Sequence, residues 1–270
     1  MVNGVTFGQY FPGKSVIHRT DPRVKILLLI TFIVLMFCAF NFISLALVTA
    51  LTFAVVLLSR VPLKMYLKSL KVILIVVLLT SVLNLFYGTG EPLWQWGILK
   101  ITWDGISRSI FVTVRIFCLI LISSALTFTT SPTDLTDALE RLMKPLKVFH
   151  IKVHEIAMMM SIALRYIPTL LEETDKITQA QKARGADMDS GNIIERVKAF
   201  IPVLIPLFVS SFRRAFDLAM AMECRCYQGG EGRTRMKVLH TKLLDYVMII
   251  VSALIISGVI LCNIFFPMMV

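Results

Sequence analysis

The stretch from Gly8 to Ser15 has the spacing of a phosphate-binding loop, with two glycines followed by Lys14 and Ser15. Such a loop binds phosphate only after a buried strand and before a helix whose N-terminus faces the ligand. Here Pro22 follows shortly, and the rest of the sequence has no alternating strand–helix pattern. We therefore interpret the match as accidental and expect no nucleotide site in this chain.

Two pairs of metal-binding residue types also occur. His150 and His154 are four residues apart on a predicted helix, close enough to share a metal, but Met158 stands where a zinc protease would have its second histidine. Cys224 and Cys226 lack further ligands nearby. We predict surface histidines, small packing cysteines and no metal site.

A catalytic set is not evident either. The pair Glu172-Glu173 is similar to the paired glutamates of intramembrane prenyl proteases, but it lies in a charged segment, and no suitable histidine lies in an apolar run. The sequence offers no nucleophile, base and orienting residue together. We expect no catalytic residues and no cofactor bound by this chain.

Two arginines stand between small residues, each where a long helical pattern ends. The triplets are Ala183-Arg184-Gly185 and Cys224-Arg225-Cys226. Small neighbours let another surface approach the backbone, and the guanidinium offers five donors in a fixed fork that suits carboxylates and carbonyls. The alternative is a pair of solvated arginines favoured by the helix dipole. The repeated placement favours docking to a partner.

The helices that would carry these arginines lie within residues 129–242, a segment of mixed charge. An amphipathic helix begins at Ser131 and ends at Pro145. A long helix is predicted from about Val153 to Lys182, with a kink at Pro168, and another from Pro202 to Tyr227. Both long helices begin apolar and finish polar, and each ends in one of the two arginine triplets.

Composition indicates a polytopic membrane protein. Of the 270 residues, 57% are hydrophobic and 17% are charged, and the mean hydropathy is +0.78, which excludes a soluble enzyme and a disordered tail. Five apolar runs are candidate spans. They are Ile26–Phe40, Phe42–Leu58, Val72–Tyr87, Ser109–Phe128 and Tyr246–Val270. We predict an all-α polytopic fold of about five transmembrane helices plus a cytoplasmic-side region of amphipathic and long coupling helices.

The net charge is +11, and the distribution of the positive charges along the chain sets the expected orientation. Lysines and arginines concentrate before the first run and between the second and third, whereas the loop before the fourth run is rich in tryptophan. The positive-inside rule then places the N-terminus in the cytoplasm and the C-terminus outside the cell membrane. The first 25 residues lack the apolar core of a cleavable signal peptide. The predicted organisation is 1–128 (N-terminal segment and four spans), 129–242 (cytoplasmic coupling helices) and 243–270 (last span).

Arg115 is the only charge in the fourth apolar run. A charge at this depth is a candidate functional residue, but it lies near one end of the run and could reach outward or pair with Asn84, so we favour a structural role. Several methionines lie on the two long helices, where they are either core residues or an adaptable partner-binding surface. They are Met158, Met159, Met160, Met220 and Met222.

The segment before the first span resembles the N-terminal signature of the T component (EcfT type) of energy-coupling factor transporters. It reads Tyr10-x-Pro12-Gly13-x-Ser15-x-x-His18-Arg19-x-Asp21-Pro22-Arg23-x-Lys25. The two arginine triplets resemble the paired coupling motifs of that family, usually Ala-Arg-Gly and Ala-Arg-Ser. The second triplet departs from the pattern with Cys-Arg-Cys but keeps the central arginine and small flanks.

The resemblance implies a scaffold that is neither the ATPase nor the solute binder. Its partners would be two cytoplasmic ABC-type ATPases, which use ATP, a small membrane-embedded S component that binds a vitamin or other micronutrient, and the bilayer, with no nucleic acid. By the same resemblance Arg184 and Arg225 dock into grooves on the ATPases, and the methionine-rich stretches face the S component.

Two other functions compete with this interpretation. A self-contained permease or channel would need its own substrate path, yet apart from Arg115 the spans hold almost no ionisable residues and no pair of broken helices. An intramembrane enzyme lacks a catalytic set. We therefore expect a non-catalytic subunit that transmits the work of the ATPases.

Overall fold

A computed structural model describes residues 10–86, 92–96, 99–186, 192–230 and 241–265. The chain is mostly helical. The helices are α1 (Val16–Arg19), α2 (Pro22–Cys38), α3 (Phe42–Ser59), α4 (Leu63–Phe86), α5 (Trp103–Thr129), α6 (Pro132–Leu142), α7 (Val153–Ala183), α8 (Ile193–Cys224) and α9 (Leu243–Phe265), with a 3₁₀ turn at Lys144–Phe149. Between α4 and α5, β1 (Pro92–Trp96) and β2 (Leu99–Thr102) form an antiparallel hairpin that pairs Trp94 with Ile101.

The chain divides into two compact units, and the division falls within α6. One unit contains α1–α5, the β-hairpin and α9. The other contains α6 from Thr136 onward, α7 and α8. The all-α membrane fold is confirmed, with one short hairpin that the sequence did not predict. The three-part organisation by residue number stays a prediction.

Over the described residues, each predicted span coincides with a helix: α2, α3, α4, α5 and α9. Tyr87 of the third predicted span and residues 266–270 of the last lie outside the described residues. Among the described helices, five are long and apolar enough to cross a membrane, and this set includes α8 in place of the 17-residue α2. The uncharged part of α8 runs only from Ala199 to Phe212, which is short for a crossing and typical of an interfacial or buried segment. The cytoplasmic-side position of α8 therefore stays our prediction.

The N-terminal signature is a set of local contacts that leads the chain into α2. The Ser15 hydroxyl accepts a hydrogen bond from the backbone N–H of His18. The same hydroxyl also bonds to Nδ1 of the His18 imidazole ring at 2.6 Å. A Cβ on Gly13 would lie 2.7 Å from that ring, so any other residue would displace a ring whose two nitrogens bond to the Ser15 hydroxyl and the Phe11 carbonyl. Asp21 caps α2, and Pro22 occupies its first turn.

The start of α2 is anchored to α5 and α9. Nζ of the buried Lys25 donates to the carbonyl of Thr129 at 2.9 Å, and the backbone N–H of Asp21 donates to Asp245 at 2.8 Å. Lys25 precedes the apolar run that begins at Ile26. Burial lowers the pKa of Lys25 to about 8, against the opposing effect of nearby carboxylates. A buried lysine with these partners fixes where α2 begins relative to the bundle.

A second polar cluster, at the opposite end of α2 from Lys25, stabilises the turn between α2 and α3. Nη2 of Arg115 donates to the carbonyl of Ala39 at 3.0 Å, and Nδ2 of Asn263 donates to that of Cys38 at 2.6 Å. These groups satisfy carbonyls that the end of a helix leaves unpaired. The structural role favoured for Arg115 has the Ala39 carbonyl as its partner. The suggested pairing with Asn84 is wrong, because no hydrogen bond joins these two described residues, and Asn84 donates to the carbonyl of Thr80.

Candidate docking site

α7 extends for 31 residues and runs through Pro168. Its first half is apolar, and its last four turns carry alternating acidic, basic and amide side chains, which favour a solvated helix. Its predicted boundaries at about Val153 and Lys182 are confirmed to within one residue. The helix therefore projects Arg184 at its C-terminal end, beyond the apolar half.

α8 begins at Ile193, so the predicted start at Pro202 is wrong. Proline favours the first turn of a helix, which suggested Pro202 as the start. The true N-terminus is set upstream, where the Glu195 carboxylate accepts from the backbone N–H of Asn192 at 3.0 Å, one half of a capping box. Pro202 and Pro206 lie inside the helix.

The two long helices are antiparallel partners. Nε2 of Gln181, near the end of α7, donates to the carbonyl of Pro202 at 3.4 Å. That carbonyl has no helical partner, because Pro206 lacks the N–H that would bond to it. Further along, Nη2 of Arg214 donates to Glu173 at 2.5 Å. From the first contact to the second, the residue number falls along α7 and rises along α8, so the two helices run in opposite directions.

Both arginine triplets end their helices in the same way, a Schellman motif. After α7, the N–H groups of Gly185 and Ala186 bond to the carbonyls of Lys182 and Gln181, both at 3.0 Å. After α8, Cys226 and Tyr227 bond likewise to Glu223 at 2.8 Å and Met222 at 3.1 Å. The repeated placement read from the sequence is thus a repeated backbone structure that presents one exposed arginine at each end.

The residue after each arginine has the left-handed conformation that this motif requires. Gly185 has a φ of 89°, which glycine adopts freely, whereas Cys226 has a φ of 54°, which a Cβ disfavours. The Cys-Arg-Cys departure therefore preserves the shape of the tip at an energetic cost. Cys224 and Cys226 are both exposed, so the prediction of packing cysteines is wrong.

A groove of about 620 Å³ adjoins Arg225. Arg165 from the apolar half of α7 also lines this groove. Among the described residues, neither Arg165 nor Arg225 makes an ion pair. Arg184, by contrast, lies at the far end of α7, roughly 30 Å from Arg165 at 1.5 Å per residue. The two predicted docking arginines therefore stand at opposite ends of the helix pair.

The methionines do not form one surface. Met158 and Met222 line the Arg225 groove, whereas Met159, Met160 and Met220 are exposed. The large apolar surface of this unit lies instead on α8, where side chains recur every three to four residues. Its exposed members are Ile201, Ile205, Phe208, Phe212 and Phe216. We call these five residues the α8 stripe, and a surface of this kind is typical of a protein or membrane contact.

Two side chains, His154 and Glu173, have partners in the structure that the sequence did not predict. His154, predicted as a surface histidine, is half-buried and pairs with the buried Glu140 at 3.0 Å. Glu173, weighed only as half of a protease-like pair, forms the ion pair with Arg214. Within the described ranges, no three His, Cys, Asp or Glu residues are grouped to hold a metal. The signal that could have predicted the Glu173–Arg214 ion pair is the position of each charge along its helix. Once α7 and α8 are paired antiparallel, these positions place Glu173 beside Arg214.

Comparisons with known proteins extend over nearly the whole chain. The sequence profile of the CbiQ family, described as cobalt transport protein, matches residues 13–238. A relative from Ruminiclostridium cellulolyticum, named energy-coupling factor transporter transmembrane protein EcfT, is 51% identical over 97% of this chain and 98% of its own. Proteins of the same name from Thermosediminibacter oceani and Bacillus subtilis are 49% and 48% identical, over 94% and 88% of this chain and 96% and 91% of theirs.

Proposed function

Because this chain belongs to the EcfT family of energy-coupling factor transporter transmembrane proteins, within the wider CbiQ family, we propose that it couples two ABC-type ATPases to a separate S component. The chain is a multi-pass membrane subunit of such a transporter. In the proposed role it imports a vitamin or other micronutrient with its partners, and it neither hydrolyses ATP nor binds a cofactor itself. Its N-terminus would be cytoplasmic and its C-terminus outside.

One observation carries the proposal: two exposed arginines on identical helix ends, roughly 30 Å apart along an antiparallel pair. Two sites at that separation suit two ATPase subunits, one at each end. Each guanidinium can donate two parallel hydrogen bonds to a carboxylate or carbonyl on its subunit. Because small residues flank both arginines, the backbone of each tip can approach the partner closely.

Rigidity is what makes such a pair useful for coupling. The Glu173–Arg214 ion pair and the bond from Gln181 to Pro202 tie α7 to α8 at two levels. When the ATPases close on ATP, the two tips would move with their subunits, and a tied pair of helices would respond as one body. The proposed output of that motion is reorientation of the S component.

The α8 stripe is the surface that fits the S component. It is apolar, exposed, and lies on the same helix as Arg225. A membrane-embedded partner presents apolar surface, so contact with the stripe removes both surfaces from water. In the proposal, Met159, Met160 and Met220 extend this contact, whereas Met158 and Met222 belong to the Arg225 groove.

The rival permease function is disfavoured by the partner of Arg115. This arginine is the one charged side chain in the five predicted spans, and it was the candidate to mark a substrate path. It donates to the carbonyl of Ala39 and lies over the rings of Phe37 and Phe111. Through these contacts the Arg115 side chain stabilises the turn between α2 and α3.

Co-purification tests the proposal directly. The chain would be tagged, extracted gently from its native membrane and analysed by mass spectrometry. We expect two P-loop ATPases and a small hydrophobic protein, and several alternative small proteins would indicate a shared scaffold. An intact, folded chain that purifies alone and transports solute alone in liposomes would contradict the coupling function and support the permease.

A further inference from the structure

The surroundings of the two docking arginines are unequal, although their backbones are alike. Arg184 is not among the residues that line the Arg225 groove, and it lies roughly 30 Å along α7 from Arg165, which does line it. Arg225, in contrast, forms one wall of the groove of about 620 Å³. The opposite wall is the first half of α7, which brings Arg165 to the same groove.

The lining of this groove has a definite chemistry. Its apolar part is formed by Met158, Ile162, Leu218 and Met222, and its charged groups are the guanidiniums of Arg165 and Arg225. None of the described residues that line it is acidic. Two like charges in one groove repel each other, and an anion placed there relieves that repulsion. An occupant that matches both parts carries a carboxylate on an apolar segment.

Arg165 also stands out in the sequence of α7. It is the only charged residue from Ile156 to Leu171, in the half of the helix that is otherwise apolar. Structural needs of α7 do not account for it, because no described residue forms an ion pair with it. Its side chain is exposed, and the groove is the feature that it contacts.

We propose that this groove receives a carboxylate-bearing segment of one ATPase, and that Arg165 is a second anchoring cation there beside Arg225. The inference rests on the proposed coupling function and adds a residue outside both triplets. It makes the two ends of the helix pair different: one end holds its ATPase with two guanidiniums around this groove, and the other uses Arg184, which lies outside it. Two non-identical ATPases would be told apart by this difference.

The test uses the complete chain, co-expressed with its ATPases and S component. Arg165→Met removes the charge and keeps much of the length, Arg165→Lys keeps the charge, and Arg213→Met is the matched control, an exposed arginine of α8 outside the groove. Binding of the ATPases to the membrane-embedded chain is measured against NaCl concentration. We expect at least about tenfold weaker binding and a shallower salt dependence for Arg165→Met, partial recovery for Arg165→Lys, and wild-type behaviour for Arg213→Met.

The outcomes separate this inference from the function on which it rests. Wild-type binding by Arg165→Met, with binding lost in Arg225→Met, overturns the inference and leaves the coupling function standing. Wild-type binding by both variants contradicts docking at this end altogether. A photo-crosslinking residue at position 161, an exposed position that also lines the groove, leaves Arg165 in place and decides the case in which Arg165→Met does not fold. An adduct with one ATPase supports the inference, and an adduct with the S component or with lipid overturns it.

Discussion

Arg214 of α8 donates a hydrogen bond from Nη2 to the Glu173 carboxylate of α7 at 2.5 Å, midway between the two exposed arginines. Both side chains are partly buried, so water screens this pair less than a surface pair. The bond fixes the register of two helices whose opposite ends are the proposed docking tips. A contact far from both partners can therefore decide whether the tips move together.

Breaking this ion pair should uncouple the two ends of the helix pair. We expect Glu173→Gln to weaken the pairing by about 1 kcal/mol, to lower ATP-driven uptake, and to leave ATPase binding intact, because neither tip is altered. Thermal unfolding and uptake in proteoliposomes measure the two effects. The swapped pair Glu173→Arg with Arg214→Glu should recover uptake, and no recovery would show that the charges act separately.

Removing either proposed docking arginine should strongly lower transport without affecting insertion. Arg184→Ala and Arg225→Ala each delete a charge-assisted contact, which leaves a partner group unpaired at a loss of about 2–5 kcal/mol. We expect strongly reduced uptake and weaker co-purification of the ATPases, with normal amounts of chain in the membrane. Arg196→Ala, another exposed arginine of the same unit, is the control. Uptake at the wild-type level in both single variants would contradict the docking role.

Cys226→Gly should stabilise the end of α8. Cys226 has a φ of 54°, where a Cβ costs about 1–2 kcal/mol and glycine does not. Part of that gain is offset by the greater freedom of glycine in the unfolded chain, so we expect a net gain below about 1 kcal/mol. The reverse change, Gly185→Ala, should destabilise the end of α7. Thermal unfolding of the purified chain measures both, and Cys224→Ala, inside the helix, serves as the neutral control. A loss of stability in Cys226→Gly would show that the thiol makes a contact that matters more than the strain.

The buried amine of Lys25 should make stability depend on pH. Burial lowers its pKa from 10.5 to about 8, so between these values the unfolded chain binds more protons than the folded one. Stability attributable to Lys25 then rises as pH increases from 8 to 10.5 and is constant below 8, where both states are protonated. Unfolding of wild type and Lys25→Met across pH 7–10.5 should show this rise only in the wild type. Parallel curves would place the titration of Lys25 outside this range and contradict the burial effect.

Some features of this protein follow from composition and local spacing. Apolar runs of span length predict helices wherever they occur, because a backbone in lipid must satisfy its hydrogen bonds internally, and every predicted span is a helix. The ends of α7 were predictable for a similar reason, since charge pattern and the glycine after Arg184 are local signals. The family resemblance also rested on residues close in sequence, and the comparisons confirm it.

Local signals failed where distant residues compete or cooperate. Pro202 looked like a helix start, but the capping residues Asn192 and Glu195 begin the helix upstream. Gln181 of α7 then donates to the Pro202 carbonyl, which the interior Pro206 leaves without a helical partner. Arg115 was expected to reach outward or to pair with Asn84, and the packing of α2 against α5 brings it to the Ala39 carbonyl instead.

The site itself depends most on tertiary structure. The sequence supplied two arginines between small residues, but their separation follows from the antiparallel pairing of α7 with α8, which places Arg184 and Arg225 at opposite ends. The same pairing brings Arg165 to Arg225 across 60 residues of sequence. Such a contact has no local signature, because the energy that selects it comes from packing two whole helices together rather than from the residues beside either arginine.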